Sequence, residues 1–137
     1  MTEKPDTVGA PFYAGVLNAL ARDIYESNQE AGWWKDQSFG DLTQQPIVKF
    51  VVPTKLALVH SEVSEALEGF RKGLFDDHLP HRPMIEVEIA DAIIRLLDIA
   101  GALNLDVGNA LIEKREYNSQ RADHKPENRN APGGKSV

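Results

Sequence analysis

The segment from Ile85 to Leu103 constrains this chain more than any other. From Val87 to Leu103 its only polar side chains are Glu88, Asp91, Arg95 and Asp98. Apolar residues recur at helical spacing, and Pro83 suits a helix start, so a helix is predicted from Pro83 to about Leu103. The four polar residues follow one another by three, four and three positions, the spacing of a buried seam. At about 100° per residue they fall within a sector of about 80°. The rest of the circumference carries Ile85, Ile89, Ile93, Ile94, Leu96 and Leu97. A helix this apolar is expected to be buried nearly all round. Its acidic strip is then either its only wet face or an acidic site inside a bundle. With Glu86 added, the segment is too charged to span a membrane.

The rest of the chain reads as helices and loops. Residues 1–10 form a flexible lead-in, with Pro5 and Gly9 and little periodicity. Leu17, Leu20, Ala21, Ile24 and Tyr25 predict a helix from Phe12 to about Glu30, with Gly32 as its stop. Residues 33–53 carry Trp33, Trp34, Gly40, Pro46 and Pro53 and are expected to be a functional loop with little regular structure. Within it, Ile47–Val52 could be a short strand without a partner. Thr54 can cap a second helix, Lys55 to about Lys72, striped by Leu56, Val59, Val63, Leu67 and Phe70 and ended by Gly73. Residues 74–82 are a linker. Asp106 can cap a fourth helix, Val107 to about Arg121. Residues 122–137 lack large apolar side chains and are expected to be disordered. The fold class is therefore all-α, a four-helix bundle within one domain, residues 11–121.

Composition narrows the function. The chain has 137 residues, enough for one domain. Its 15 Lys and Arg against 21 Asp and Glu give a net charge of −6, which speaks against a nucleic-acid partner. There is no cysteine, so thiolate metal sites, disulfides and Cys nucleophiles are excluded. The N-terminal residues have no apolar core of a secretory signal. A cytoplasmic protein without a membrane partner is expected.

The chemistry concentrates on two helices. Glu62 and Glu65 on the second, and Glu88 and Asp91 on the third, each put two carboxylates on one helical face. Glu62 lies about 110° from the centre of the second helix's apolar stripe, not opposite it as a pure solvent face would. Carboxylates facing each other repel unless a cation joins them. Such oxygen donors suit Mg²⁺, with Mn²⁺ as a substitute, rather than zinc or copper. A ferritin-like di-iron site would want Glu-x-x-His on two helices, and His60 lies on the wrong, apolar side. His78 and His81 read as a solvated loop.

These residues resemble a known family. SEVSEALE at 61–68 followed by EIADAIIRLLDIA at 88–100 is similar to the ExxE…ExxD signature of the MazG-like, all-α nucleoside triphosphate pyrophosphohydrolases. GWW at 32–34 resembles the aromatic segment of the short members, and EKREYNSQR at 113–121 their C-terminal Lys…Tyr-Asn…Arg segment. The resemblance implies hydrolysis of an NTP or dNTP to the monophosphate and pyrophosphate. It implies Mg²⁺ held by Glu62, Glu65, Glu88 and Asp91, with Glu62 or Glu65 as candidate general base. It implies substrate contacts from Trp33 or Trp34, Arg95, Asp98, Lys114, Tyr117, Asn118 and Arg121. Arg95 could instead orient Asp91 or Asp98, and the cations near residue 121 could simply favour a helix C-terminus. One of the two tryptophans is expected to pack in the core and the other to approach substrate.

One short chain has too few helices to cover the third, so a homodimer or homotetramer is expected, as the family resemblance also implies. Two other readings stand beside the enzyme. One is a non-catalytic helical assembly or binding module whose acids are solvated. The other is a phosphoribosyl-ATP pyrophosphatase-like enzyme, which would share the acids without needing the tryptophan loop.

Overall fold

The computed structural model describes residues 10–135; the lead-in expected at residues 1–10, except Ala10 at the start of a helix, and the last two residues of the tail lie outside them. The protein is mostly helical and bundle-like, with four substantial helices: α1 (Ala10–Glu30), α2 (Val48–Lys72), α3 (Met84–Ala102) and α4 (Val107–Gln120). A short α5 (Pro126–Arg129) follows a 3-10 turn at Ala122–His124, where the sequence predicted disorder. Among the described residues, no helix is long and apolar enough to cross a membrane. The chain divides into two compact units, one of residues 19–105 and one of residues 10–18 with 106–135.

In the first unit, α2 and α3 form an antiparallel helical hairpin. Lys55 meets Asp98, Glu62 meets Arg95, and Gly69 meets Met84. Gly73 ends α2 in a left-handed conformation (φ 61°), and the Leu74 N–H reaches back to the Gly69 carbonyl. In the connection, buried Asp76 accepts hydrogen bonds from the backbone N–H groups of His78 and Leu79. His78 and His81 are exposed.

Three sequence expectations are corrected here. Residues 35–41 form a small antiparallel hairpin, not an irregular loop: β1 (Lys35–Asp36) pairs with β2 (Gly40–Asp41). Asp36 Oδ1 ties its turn by accepting from the N–H groups of Ser38 and Phe39. Second, Val48–Val52 is not a strand but the start of α2, which contains Pro53. A proline this early forfeits one helical N–H, and Thr54 Oγ1 donates to the Phe50 carbonyl at 2.9 Å. Third, most of the apolar stripe residues face outward, although α3 buries Leu97, Ile99 and Ala100. Leu56, Val63, Leu67 and Phe70 of α2 and Ile89, Ile93, Ile94 and Leu96 of α3 are all exposed, and so is His60. What α2 buries is Val48, Glu62, Ala66 and Gly69. The helix pair meets through its charged and small residues, because the 3–4 spacing of Lys55, Val59, Glu62, Ala66 and Gly69 matches that of Glu88, Asp91, Arg95 and Asp98.

Two glycines mark close approaches. At Gly101 on α3, a side chain would collide with the Ala21 carbonyl and Tyr25 Cβ of α1. In the second unit, Gly108 near the start of α4 lies against the Ala14 backbone, and its N–H donates to Asn18 Oδ1 at 2.8 Å. Asp106 caps α4 as expected, accepting from the Asn109 N–H, and the Asn18 amide donates to it at 2.7 Å. These amide donors hold the Asp106 carboxyl below the usual carboxylate range, Asn109 more than Asn18.

Gly101→Ala is expected to destabilise the protein by about 1–3 kcal/mol, because backbone must shift to admit the methyl. Gly15→Ala, in open space on α1, is expected to stabilise it by about 0.5–1 kcal/mol through helix propensity. Thermal unfolding of the two variants should show opposite signs.

Candidate functional site

The seam between α2 and α3 brings three acids together. Glu62, Glu65 and Glu88 each offer a carboxylate oxygen within 4.8 Å of the others. Glu62 and Glu88 are buried and Glu65 is exposed. Asp91, the fourth acid expected, is not in that set; it is half-buried one turn along α3 and adds its negative charge to the environment of Glu88. The Glu88 carboxyl is pushed from an ordinary 4.5 up to about 7. Burial is the largest cause, followed by the Glu65 charge and then by Glu62, to which a protonated Glu88 can donate a hydrogen bond. Three hard oxygen donors, two of them out of water, fit a divalent cation such as Mg²⁺ or Mn²⁺.

The same seam carries two cations. Arg95 Nε donates to Glu62 Oε1 at 2.5 Å, so Arg95 pairs with Glu62 rather than orienting Asp91 or Asp98 as the sequence suggested. Asp98 is buried and engaged twice. The Trp34 indole Nε1 donates to its Oδ1 at 2.8 Å, and Lys55 Nζ lies 3.8 Å from its Oδ2. Lys55 also lies over the Trp34 ring, 4.2 Å from its centroid, and donates to the Trp33 carbonyl at 3.4 Å. Burial holds the Lys55 ammonium below its ordinary pKa; Asp98 opposes that shift and the Arg95 charge adds to it.

The two tryptophans part company. Trp34 is 1% exposed and stacks edge-on with Tyr25, ring centroids 5.8 Å apart. The Tyr25 hydroxyl is raised in pKa by burial and by the charges of Asp41 and Asp98. Trp33 is 68% exposed, as is Phe39 in the hairpin turn at 65%. Sequence reasoning missed Lys55 and Tyr25. The signal for Lys55 was present, since it precedes Glu62 by seven and therefore shares its face.

The C-terminal candidates belong to the other unit. Lys114 Nζ lies over the Tyr117 ring at 4.6 Å, and the Arg121 guanidinium lies 6.0 Å from the same ring. Arg121 is also forked onto Asp123, its Nε at 2.9 Å from Oδ1 and an Nη at 2.5 Å from Oδ2. Asn118 Oδ1 is buried without a hydrogen-bond partner. These residues thus form a clamp around Tyr117 in which Arg121 already has a carboxylate.

No protein-family profile, curated protein or solved structure matches this chain.

The acid cluster gives stability a definite pH dependence. Because the folded state holds Glu88 protonated up to about 7, an unfolded chain that has already ionised is favoured as pH rises. The contribution of Glu88 should therefore fall between pH 4.5 and 7 and level off above. In EDTA, Glu88→Gln should match wild type in melting temperature at the acid end and exceed it above neutrality. Mn²⁺ should remove the wild-type deficit, since coordination needs the ionised carboxylate. A deficit that grows towards acid pH would contradict this assignment.

Proposed function

We propose that the protein is a Mg²⁺-dependent pyrophosphohydrolase of the MazG-like type, converting a nucleoside or deoxynucleoside triphosphate to the monophosphate and pyrophosphate in the cytoplasm. The observation that carries this reading is the convergence of Glu62, Glu65 and Glu88 on one partly buried seam, where burial first and the neighbouring acids second push the Glu88 carboxyl up to about 7. Asp91, one turn from Glu88, supplies the fourth carboxylate of the expected quartet. A divalent cation held there supplies the positive charge that lets an acidic groove accept a triphosphate, and it makes a bound water more acidic. Glu62 or Glu65 takes the proton of the attacking water. Trp33, with its indole free, stacks on the base, while Trp34 and Asp98 form the wall behind it.

The active form is a homo-oligomer, dimer or tetramer. Ile89 and Ile93 of α3 are 50% and 48% exposed in the single chain, and Phe70 of α2 is 69% exposed. Apolar surface of this extent on both helices of the site calls for cover. Sedimentation at micromolar concentration should give a dimer or larger, and a monomer would contradict it.

The same exposed faces favour a second reading, a non-catalytic assembly module. Product analysis separates the two. With Mg²⁺, a panel of NTPs and dNTPs should yield pyrophosphate and monophosphate, and EDTA should abolish the release. Glu65→Gln should lose about 100-fold or more in turnover while its melting temperature is retained. Release of single phosphates would sink the pyrophosphohydrolase reading. Silence from a folded, metal-loaded sample would favour the assembly module.

A further inference from the structure

The Arg95–Glu62 ion pair has no part in the reading above, yet its carboxylate belongs to the acid cluster. Glu62 is buried, while the Arg95 side chain is 42% exposed. The guanidinium thus lies at the edge of the seam and reaches in to a carboxylate inside it. That carboxylate is one of the three whose oxygens converge within 4.8 Å. A cation binding the three draws on Glu62, whose Oε1 Arg95 Nε now holds. Arginine cannot be neutralised by losing a proton, so the two positive charges compete for one carboxylate. The carboxylates that flank it on α3 are both committed, Asp98 to Trp34 and Lys55 and, in the reading above, Asp91 to the cation. A displaced Arg95 therefore becomes a free forked donor beside Lys55, whose charge it already feels. Two cations next to a metal-filled acid cluster form a place for a polyanion.

We propose that Arg95 is the resident counter-ion of the Glu62–Glu65–Glu88 cluster: it neutralises Glu62 in the cation-free protein, yields it to a divalent cation, and then binds a polyphosphate ligand in the same groove. The proposal rests on the metal-binding reading of those three acids. It makes cation and anion binding thermodynamically linked, each favouring the other through one side chain.

Calorimetry on the full chain tests this with Mn²⁺ alone and with the manganese–tripolyphosphate complex. Arg95→Met should bind Mn²⁺ about 5-fold or more tightly than wild type, and the tripolyphosphate complex more weakly by a similar factor. Lys55→Met removes a positive charge from the same seam without touching Glu62, and it should strengthen Mn²⁺ binding less. If Arg95→Met does not fold, Arg95→Gln should show the same signs with smaller size, because its amide can still donate to Glu62. Equal Mn²⁺ affinity in wild type and the Arg95 variant would overturn the counter-ion role and leave the metal site standing. Equal gains in the Arg95 and Lys55 variants would overturn it too, as a diffuse charge effect. Absence of Mn²⁺ binding in wild type and variant alike would overturn the metal-binding reading and the proposal together.

Discussion

Like charge held between two helices is the constraint on which the rest of this structure depends. Glu62 and Glu88 are each withdrawn from water across the α2–α3 seam, with Glu65 at its rim. Burying carboxylates costs several kcal/mol each unless partners offset it. The protein meets that cost in three ways along one seam. Arg95 supports Glu62, Lys55 and the Trp34 indole support Asp98, and Glu88 keeps its proton to neutrality. Small residues do the remaining work of close approach, Ala66 and Gly69 on α2 among them.

Much of this was legible in the sequence. The charged residues of α3 repeat at seam spacing, and that alone forced a choice between a wet face and an interior site. Gly73 and Asp106 announced their helix ends by chemistry that depends only on local backbone. What could not be read was which face each helix would turn inward. Periodicity reports that a helix has a polar and an apolar side, but hydropathy assumes that the apolar side is the buried one. Here Val63, Leu67 and Ile93 are exposed in the single chain and Glu88 is not, so the assumption fails at the site itself. The hairpin at 35–41 was hidden for a different reason. Its strands are two residues each, too short for any alternation, and its turn is held by one aspartate side chain.

Trp34 shows how the first unit links its loop to its helices. Its ring packs on Tyr25 of α1, its N–H anchors to Asp98 of α3, and its face receives Lys55 of α2. One side chain thereby touches three helices from the turn that leads into the small hairpin. The neighbouring Trp33 is left projecting from the turn that follows α1. The pair of tryptophans is therefore a division of labour.

The order of charges along the seam also acts as an address. Antiparallel helices with 3–4 spacing can in principle slide past each other by one heptad and still interdigitate. Moved one way, α3 would set Asp98 against Glu62, acid on acid. Moved the other way, Asp98 would lie beside Val48, and Arg95 would approach Lys55 and lose Glu62. Isoleucines and leucines alone would tolerate all three alignments with little preference. Only the alignment observed gives Glu62 and Asp98 each a donor, so the charges that make this seam expensive are also what fixes the partner each residue meets.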